Sequence, residues 1–122
     1  MNNNKLTMKY AKQSLRYLSN GFNALEKGDV DKASEFFWGS MAQAIKAVAI
    51  KRGVRLRSHG ELWNYAKGLA KELNDESIYD AFFKANSLHS NFYETRLEQE
   101  DVGAVADSIK IAVGKLLELI GY

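Results

Sequence analysis

Apolar residues return at spacings of three and four through most of this chain, the period of a helix with one buried face. Met8, Ala11, Leu15, Leu18, Phe22 and Leu25 make the first stripe and predict a helix over about residues 5–27. Ala33, Phe37, Met41, Ala44 and Val48 make the second, over about residues 30–52, and Trp38, Ile45 and Ala49 widen it. Beside that stripe run Glu35, Gly39, Ala42 and Lys46, small at the centre. A glycine inside a helix costs about 1 kcal/mol relative to alanine, so Gly39 predicts that another helix backbone approaches there. Leu62, Ala66, Leu69 and Leu73 mark a third helix, and Ile78, Phe82, Ala85, His89 and Phe92 a fourth. Val102, Val105, Ile109, Val113, Leu116 and Ile120 mark the fifth.

The breaks between these stripes carry their own chemistry. Gly28 reads as a helix stop and Asp29 as the next N-cap. Gly53 is the predicted C-cap of the second helix, and VRLR a loop. Ser58 and Glu61 have the spacing of a capping box. Residues 74–77, NDES, are a turn and cap; a break falls within LEQED, and Gly121 ends the last helix. Five helices with short links predict an all-α, up-and-down bundle. The stretch ALEKGDVDKASEFF looks like part of a tetratricopeptide unit, but no second copy follows at that period, so a solenoid is rejected.

Composition narrows the class. The 122 residues fit one domain, which at this size buries roughly two thirds of its unfolded surface. Proline is absent, so helix faces few breakers. Cysteine is absent too, which excludes disulfides, thiolate metal sites and a cysteine nucleophile, and agrees with a reducing, cytoplasmic setting. No apolar run reaches membrane-span length, so no membrane partner is expected, and MNNNKL lacks the apolar core of a signal peptide. A net charge of +2 does not announce nucleic acid, so any such case rests on local clusters.

Two clusters qualify. Lys51, Arg52, Arg55 and Arg57 fall on one loop with His59 after them and no acid before Glu61. They form a candidate phosphate- or nucleic-acid-binding patch; equally, cations complement the C-terminus of the second helix. The second cluster is SLHSNFYETRL, residues 87–97. Helical spacing makes His89, Phe92, Tyr93 and Arg96 neighbours. His89 continues the apolar stripe of its helix, so it should be at least half buried and need hydrogen-bond partners. Glu35 is positioned to pair with His89, Tyr93 or Asn91 across the bundle. A histidine held by a carboxylate is a general-base arrangement, and equally a buried network that fixes packing. The candidate catalytic set is therefore His89, Tyr93, Asn91 and Glu35. With two histidines and no suitable ligand spacing, no metal or other cofactor is predicted, and no glycine-rich phosphate loop is present.

Residues 28–49, GDVDKASEFFWGSMAQAIKAVA, then His59, then residues 85–94, ANSLHSNFYE, together resemble the archaeal PaREP-type family. Its members are similar to HEPN domains and to nucleotidyltransferase substrate-binding subunits. The resemblance implies a helical bundle, cytoplasmic and often homodimeric, near nucleotides or RNA and often in toxin–antitoxin or defence settings. HEPN ribonucleases carry Arg, four to six residues, then His, late in the chain. Here His89 precedes Arg96. Arg52 and His59 have six residues between them but follow the second helix. The ribonuclease motif is therefore not assigned.

The expectation is a HEPN-like nucleotide- or RNA-associated binding module, as a homodimer. The basic loop is expected to meet the acidic stretch of residues 98–101 of a second copy. The alternatives are a metal-independent ribonuclease using His89, and a structural partner domain, for example for a nucleotidyltransferase.

Overall fold

The computed structural model describes residues 3–90 and 98–122. Five helices account for most of them: α1 (Asn3–Glu26), α2 (Val30–Lys51), α3 (His59–Glu72), α4 (Glu76–Ser90) and α5 (Gln99–Glu118). The predicted punctuation holds. Asp29 caps α2 by accepting from the backbone N–H of Lys32, and Ser58 caps α3 by accepting from Glu61 N–H. The Glu61 carboxylate reaches back to the N–H of Arg57, one residue before the usual capping-box partner. At the C-terminus of α2 the chain turns left-handed at Gly53, φ +80°, and Val54 N–H closes onto Ala49 O. That Schellman closure satisfies carbonyls that the helix leaves open. Asn74 makes the same turn after α3 at φ 50°, with Asp75 N–H bonded to Ala70 O.

Helix α2 is the centre and packs against all four others. From Ser40 to Ile50 nearly every residue except Gln43 and Lys46 is buried, so the helix is apolar around most of its girth. Phe37, Met41, Ile45 and Val48 meet Phe82 and Ile78 of α4 and Ile109, Val113 and Leu116 of α5 in one core.

The up-and-down alternation holds for α1 with α2, for α3 with α4 and for α4 with α5. It departs at α2 and α3. The first residue of α3, His59, lies against Trp38, and its last, Glu72, is bonded to Arg52 at the end of α2. The segments 38–52 and 59–72 are each about 20 Å long, so the two helices run in the same direction. Residues 52–58 must therefore return over a similar distance, which needs a nearly extended chain at about 3.3–3.6 Å per residue. Leu56 alone on this strap is partly buried against the core.

Helix α1 turns most of its predicted stripe inward, with Ala11 buried and Leu18, Phe22 and Leu25 packed against the core, but not all of it. Its buried residues are Thr7, Ala11, Ser14, Gly21 and Ala24, while Met8 and Leu15 are 43% and 38% exposed. Small residues make the closest approach to α2, with Phe22 packed edge-on against Phe37 beside them. A Cβ on Gly21 would come 2.7 Å from Phe37 Cε1, and one on Gly39 would come 2.9 Å from Tyr17 Cδ2. Gly39 thus admits a ring where the sequence pattern predicted a backbone. The backbones approach at Ser14 and Ser40, each hydroxyl donating to the other residue's carbonyl.

Candidate functional site

Three helices contribute to one cluster, each by helical spacing. Glu35 and Trp38 are three apart on α2, and His59 and Trp63 four apart on α3. Phe82, Asn86 and His89 follow at four and three on α4. Residues at these spacings share a helix face, so the α2–α3–α4 junction gathers all seven.

Trp38 is the hub. The His89 ring lies stacked on its indole, centroids 5.5 Å apart and planes 20° apart. His59 packs against the same indole at 5.3 Å, and Phe82 at 5.4 Å. The His89 and His59 rings are no farther apart than those first two separations laid end to end. The rings continue outward: His59 meets Trp63, and Trp63 meets Tyr79 and Phe83 edge-on. Phe83 is 51% exposed, so the series reaches the surface. Edge-to-face pairs of this kind contribute roughly 0.5–1.5 kcal/mol each beyond area burial.

The polar contacts fix both imidazoles. His89 Nδ1 lies 3.3 Å from Glu35 Oε1, the pairing expected across the bundle. The approach is not aligned as a hydrogen bond, and Nδ1 has no other hydrogen-bond partner among the described residues. The His89 side chain is 40% exposed and that of Glu35 55%, so the pair meets solvent and is not sealed in the core. His59 Nε2 lies 3.1 Å from Asn86 Oδ1, within hydrogen-bond distance. Asn91 and Tyr93, the other candidates for this cluster, lie outside the described residues, as do Phe92, Glu94 and Arg96.

Lys51 ends α2, and the other basic residues are strung along the extended strap, so the set does not gather at one point. Lys51, Arg55 and Arg57 are exposed, and His59 joins the strap's far end to the Trp38 cluster. Arg52 is engaged. Its guanidinium makes two parallel bonds to Glu72, at 2.9 and 2.8 Å. That hydrogen-bonded carboxylate raises the Arg52 pKa above its ordinary value; partial burial opposes the shift and Tyr65 adds to it. Arg52 is thus a tie between the ends of α2 and α3 before it is a ligand for anything else.

The pattern reading missed Trp63 and Asn86. Their signals were present: Trp63 stands one turn from His59, and Asn86 sits between Phe82 and His89 on the stripe already read as inward. No group of three or more histidine and acidic residues among the described residues is placed to hold a metal ion. Among the described residues, no helix is long and apolar enough to cross a membrane.

A crystal structure of a protein from Sulfolobus solfataricus has the same fold. It superposes with a TM-score of 0.77 over 88% of this chain and 96% of that one, at 22% identity. No curated protein matches the sequence. The model of the archaeal PaREP1/PaREP8 family matches residues 9–113, and with that span covering most of the five-helix core the chain belongs to this family.

Proposed function

We propose that the chain is a HEPN-like module that binds RNA or nucleotides across the strap and the Trp38 cluster. The observation that carries this reading is their continuity. A line of exposed cations along an extended strap ends, at His59, on a solvent-reached group of aromatic rings. Phosphates favour spaced cations, and bases favour exposed ring faces whatever their sequence. A linear polyanion fits a strap of about 20 Å better than a single phosphate does. The same reading takes the protein to be cytoplasmic and homodimeric, in a toxin–antitoxin or defence setting, with a nucleotidyltransferase as a candidate partner. The test is fluorescence anisotropy of a short labelled single-stranded RNA at several salt concentrations. The combined variant Lys51→Gln, Arg57→Gln, His59→Ala should bind more weakly and with a flatter salt dependence. Unchanged binding would remove the strap from the interface.

A second reading, metal-independent RNA cleavage, is favoured by one feature: two imidazoles rest on a single indole. Glu35 takes the Nδ1 side of His89, which leaves Nε2 to meet a substrate oxygen. His59 would supply the second proton-transfer group. Incubation of RNA with chelator present, comparing the protein with His59→Ala and His89→Ala, decides it. Cleavage lost in both variants, with helicity retained, supports catalysis; cleavage that survives both belongs to a contaminant.

A further inference from the structure

The outer face of α5 carries a glycine that nothing covers. A Cβ placed on Gly114 would meet no atom within 4 Å. Glycine is a poor helix former beside alanine, and at an open mid-helix position its usual compensation, close packing, is missing. The residue one turn before it, Ile111, is 60% exposed, the highest value among the exposed large apolar residues described. Lys110 and Glu118, each four residues from Gly114, are both exposed. Neither side chain has a partner among the described residues, whereas Lys115 beside them is bound to Asp75. Together with Asp107, these residues line one shallow depression.

The charges are placed symmetrically. Lys110 and Glu118 stand about 6 Å along the axis on either side of Gly114. A second α5 crossing antiparallel, with a two-fold axis over Gly114, sets each Lys110 against the partner's Glu118. The crossing point is then glycine on glycine, where two helices approach most closely, and each Ile111 enters the notch beside the partner's Gly114. An isologous pairing requires this self-complementarity. We infer that α5 is the contact through which two copies of this chain associate, antiparallel and two-fold symmetric, about Gly114. This surface is separate from the strap and the Trp38 cluster, so it stands whether or not those bind RNA. It also differs from pairing of the strap with residues 98–101: there, Arg52 is already engaged by Glu72, and Asp101 by the N–H of Glu98. The bare crossing of two helices is smaller than standard interfaces of about 1,200–2,000 Å², so the dimer should depend on concentration.

Sedimentation equilibrium over a wide range of protein concentrations tests this. The unmodified chain should move from monomer to dimer. Gly114→Leu should remain monomeric at every concentration while keeping its helicity and a thermal midpoint no lower than the unmodified chain's, since the isolated chain has room for the side chain. Lys110→Glu should also be monomeric, because it sets like charges together on both sides of the axis. The double variant Lys110→Glu, Glu118→Lys should recover the dimer at low salt. An unmodified chain that stays monomeric throughout overturns the inference. So does a dimer unaffected by Gly114→Leu, and a double variant that fails to recover overturns the antiparallel geometry.

Discussion

Ser14 of α1 and Ser40 of α2 exchange hydrogen bonds with each other's main chain. Ser14 Oγ donates to Ser40 O at 2.7 Å, Ser40 Oγ donates to Ser14 O at 2.8 Å, and the two hydroxyl oxygens lie 3.3 Å apart. Both side chains are fully buried. Each hydroxyl is small enough to let the backbones approach and polar enough to bond what it meets. Ser14→Ala should destabilise the fold by about 1 kcal/mol, the net worth of a typical buried hydrogen bond, and Ser40→Ala by a similar amount. The pair should not be additive. Each single variant leaves the remaining hydroxyl without its neighbour, so Ser14→Ala combined with Ser40→Ala should cost less than the two separately. Urea denaturation of the four proteins reads the coupling directly.

Two glycines in helix interiors should respond to alanine with opposite sign. At Gly21 the new methyl would come within 2.7–3.0 Å of three atoms of the Phe37 ring. Phe37 is fully buried and edge-packed on Phe22 at 5.1 Å, so it has little freedom to move. Overpacking of this kind costs typically 1–3 kcal/mol, which outweighs the gain of about 1 kcal/mol in helix propensity. Gly21→Ala should therefore lower the thermal midpoint. At Gly68 in α3 the methyl would meet nothing within 4 Å. Gly68→Ala should raise the midpoint, and a fall there would mean that α3 is covered by something outside this chain.

The turn between α3 and α4 is fastened to α5 by Asp75. Its carboxylate accepts from Lys115 Nζ at 2.8 Å, and from the N–H and hydroxyl of Ser77 at the start of α4. Lys115, and then Ser77, hold its pKa at about 2, below the ordinary 3.8. A depressed carboxyl stabilises the fold above the unfolded-state value and loses that contribution as pH falls through the folded-state one. Asp75→Asn should therefore be less stable than the unmodified protein at neutral pH. The difference should shrink between about pH 4 and pH 2. Denaturation midpoints of both proteins across that range check the sign; a gap that widens on acidification would contradict it.

How far the chain was legible depended on what each contact selects for. Helix number, caps and the α4 and α5 stripes followed from period and turn chemistry, because those faces bury large side chains. The inward face of α1 was misread at Met8 and Leu15 for a physical reason. Its contact with α2 is chosen by size, through Ser14, Gly21 and the ring of Tyr17 over Gly39, so a stripe drawn through Met8 and Leu15 pointed partly to solvent. The shared direction of α2 and α3 was not legible either. A link of seven residues serves a tight reversal as well as an extended return, and only the Arg52–Glu72 and Trp38–His59 contacts distinguish them. The Glu35–His89 pairing was legible because His89 continues an apolar stripe and Glu35 sits beside the small residues Gly39 and Ala42. The meeting of His59 with His89 was not, since it depends on that same return of the strap.

That return separates the cations by what they already hold. Arg52 is tied to Glu72 through two bonds, while the backbone of Arg57 is fixed by Glu61 and its side chain is exposed. A ligand phosphate would have to displace a bidentate carboxylate at Arg52, but only water at Arg57. If the strap binds RNA, Arg57→Gln should lower affinity more than Arg52→Gln, and should reduce the slope of log affinity against log salt by about 1. Arg52→Gln should act instead on stability. Its ion pair is exposed, and such pairs contribute about 0–1 kcal/mol, so the expected loss is small and falls further at high salt. Binding isotherms and urea midpoints for the two variants are compared at low and high salt. The prediction requires a crossed pattern: Arg57 shifts the isotherm and spares the midpoint, and Arg52 does the reverse. A larger binding loss at Arg52 would mean that the strap opens from Glu72 when it takes its ligand.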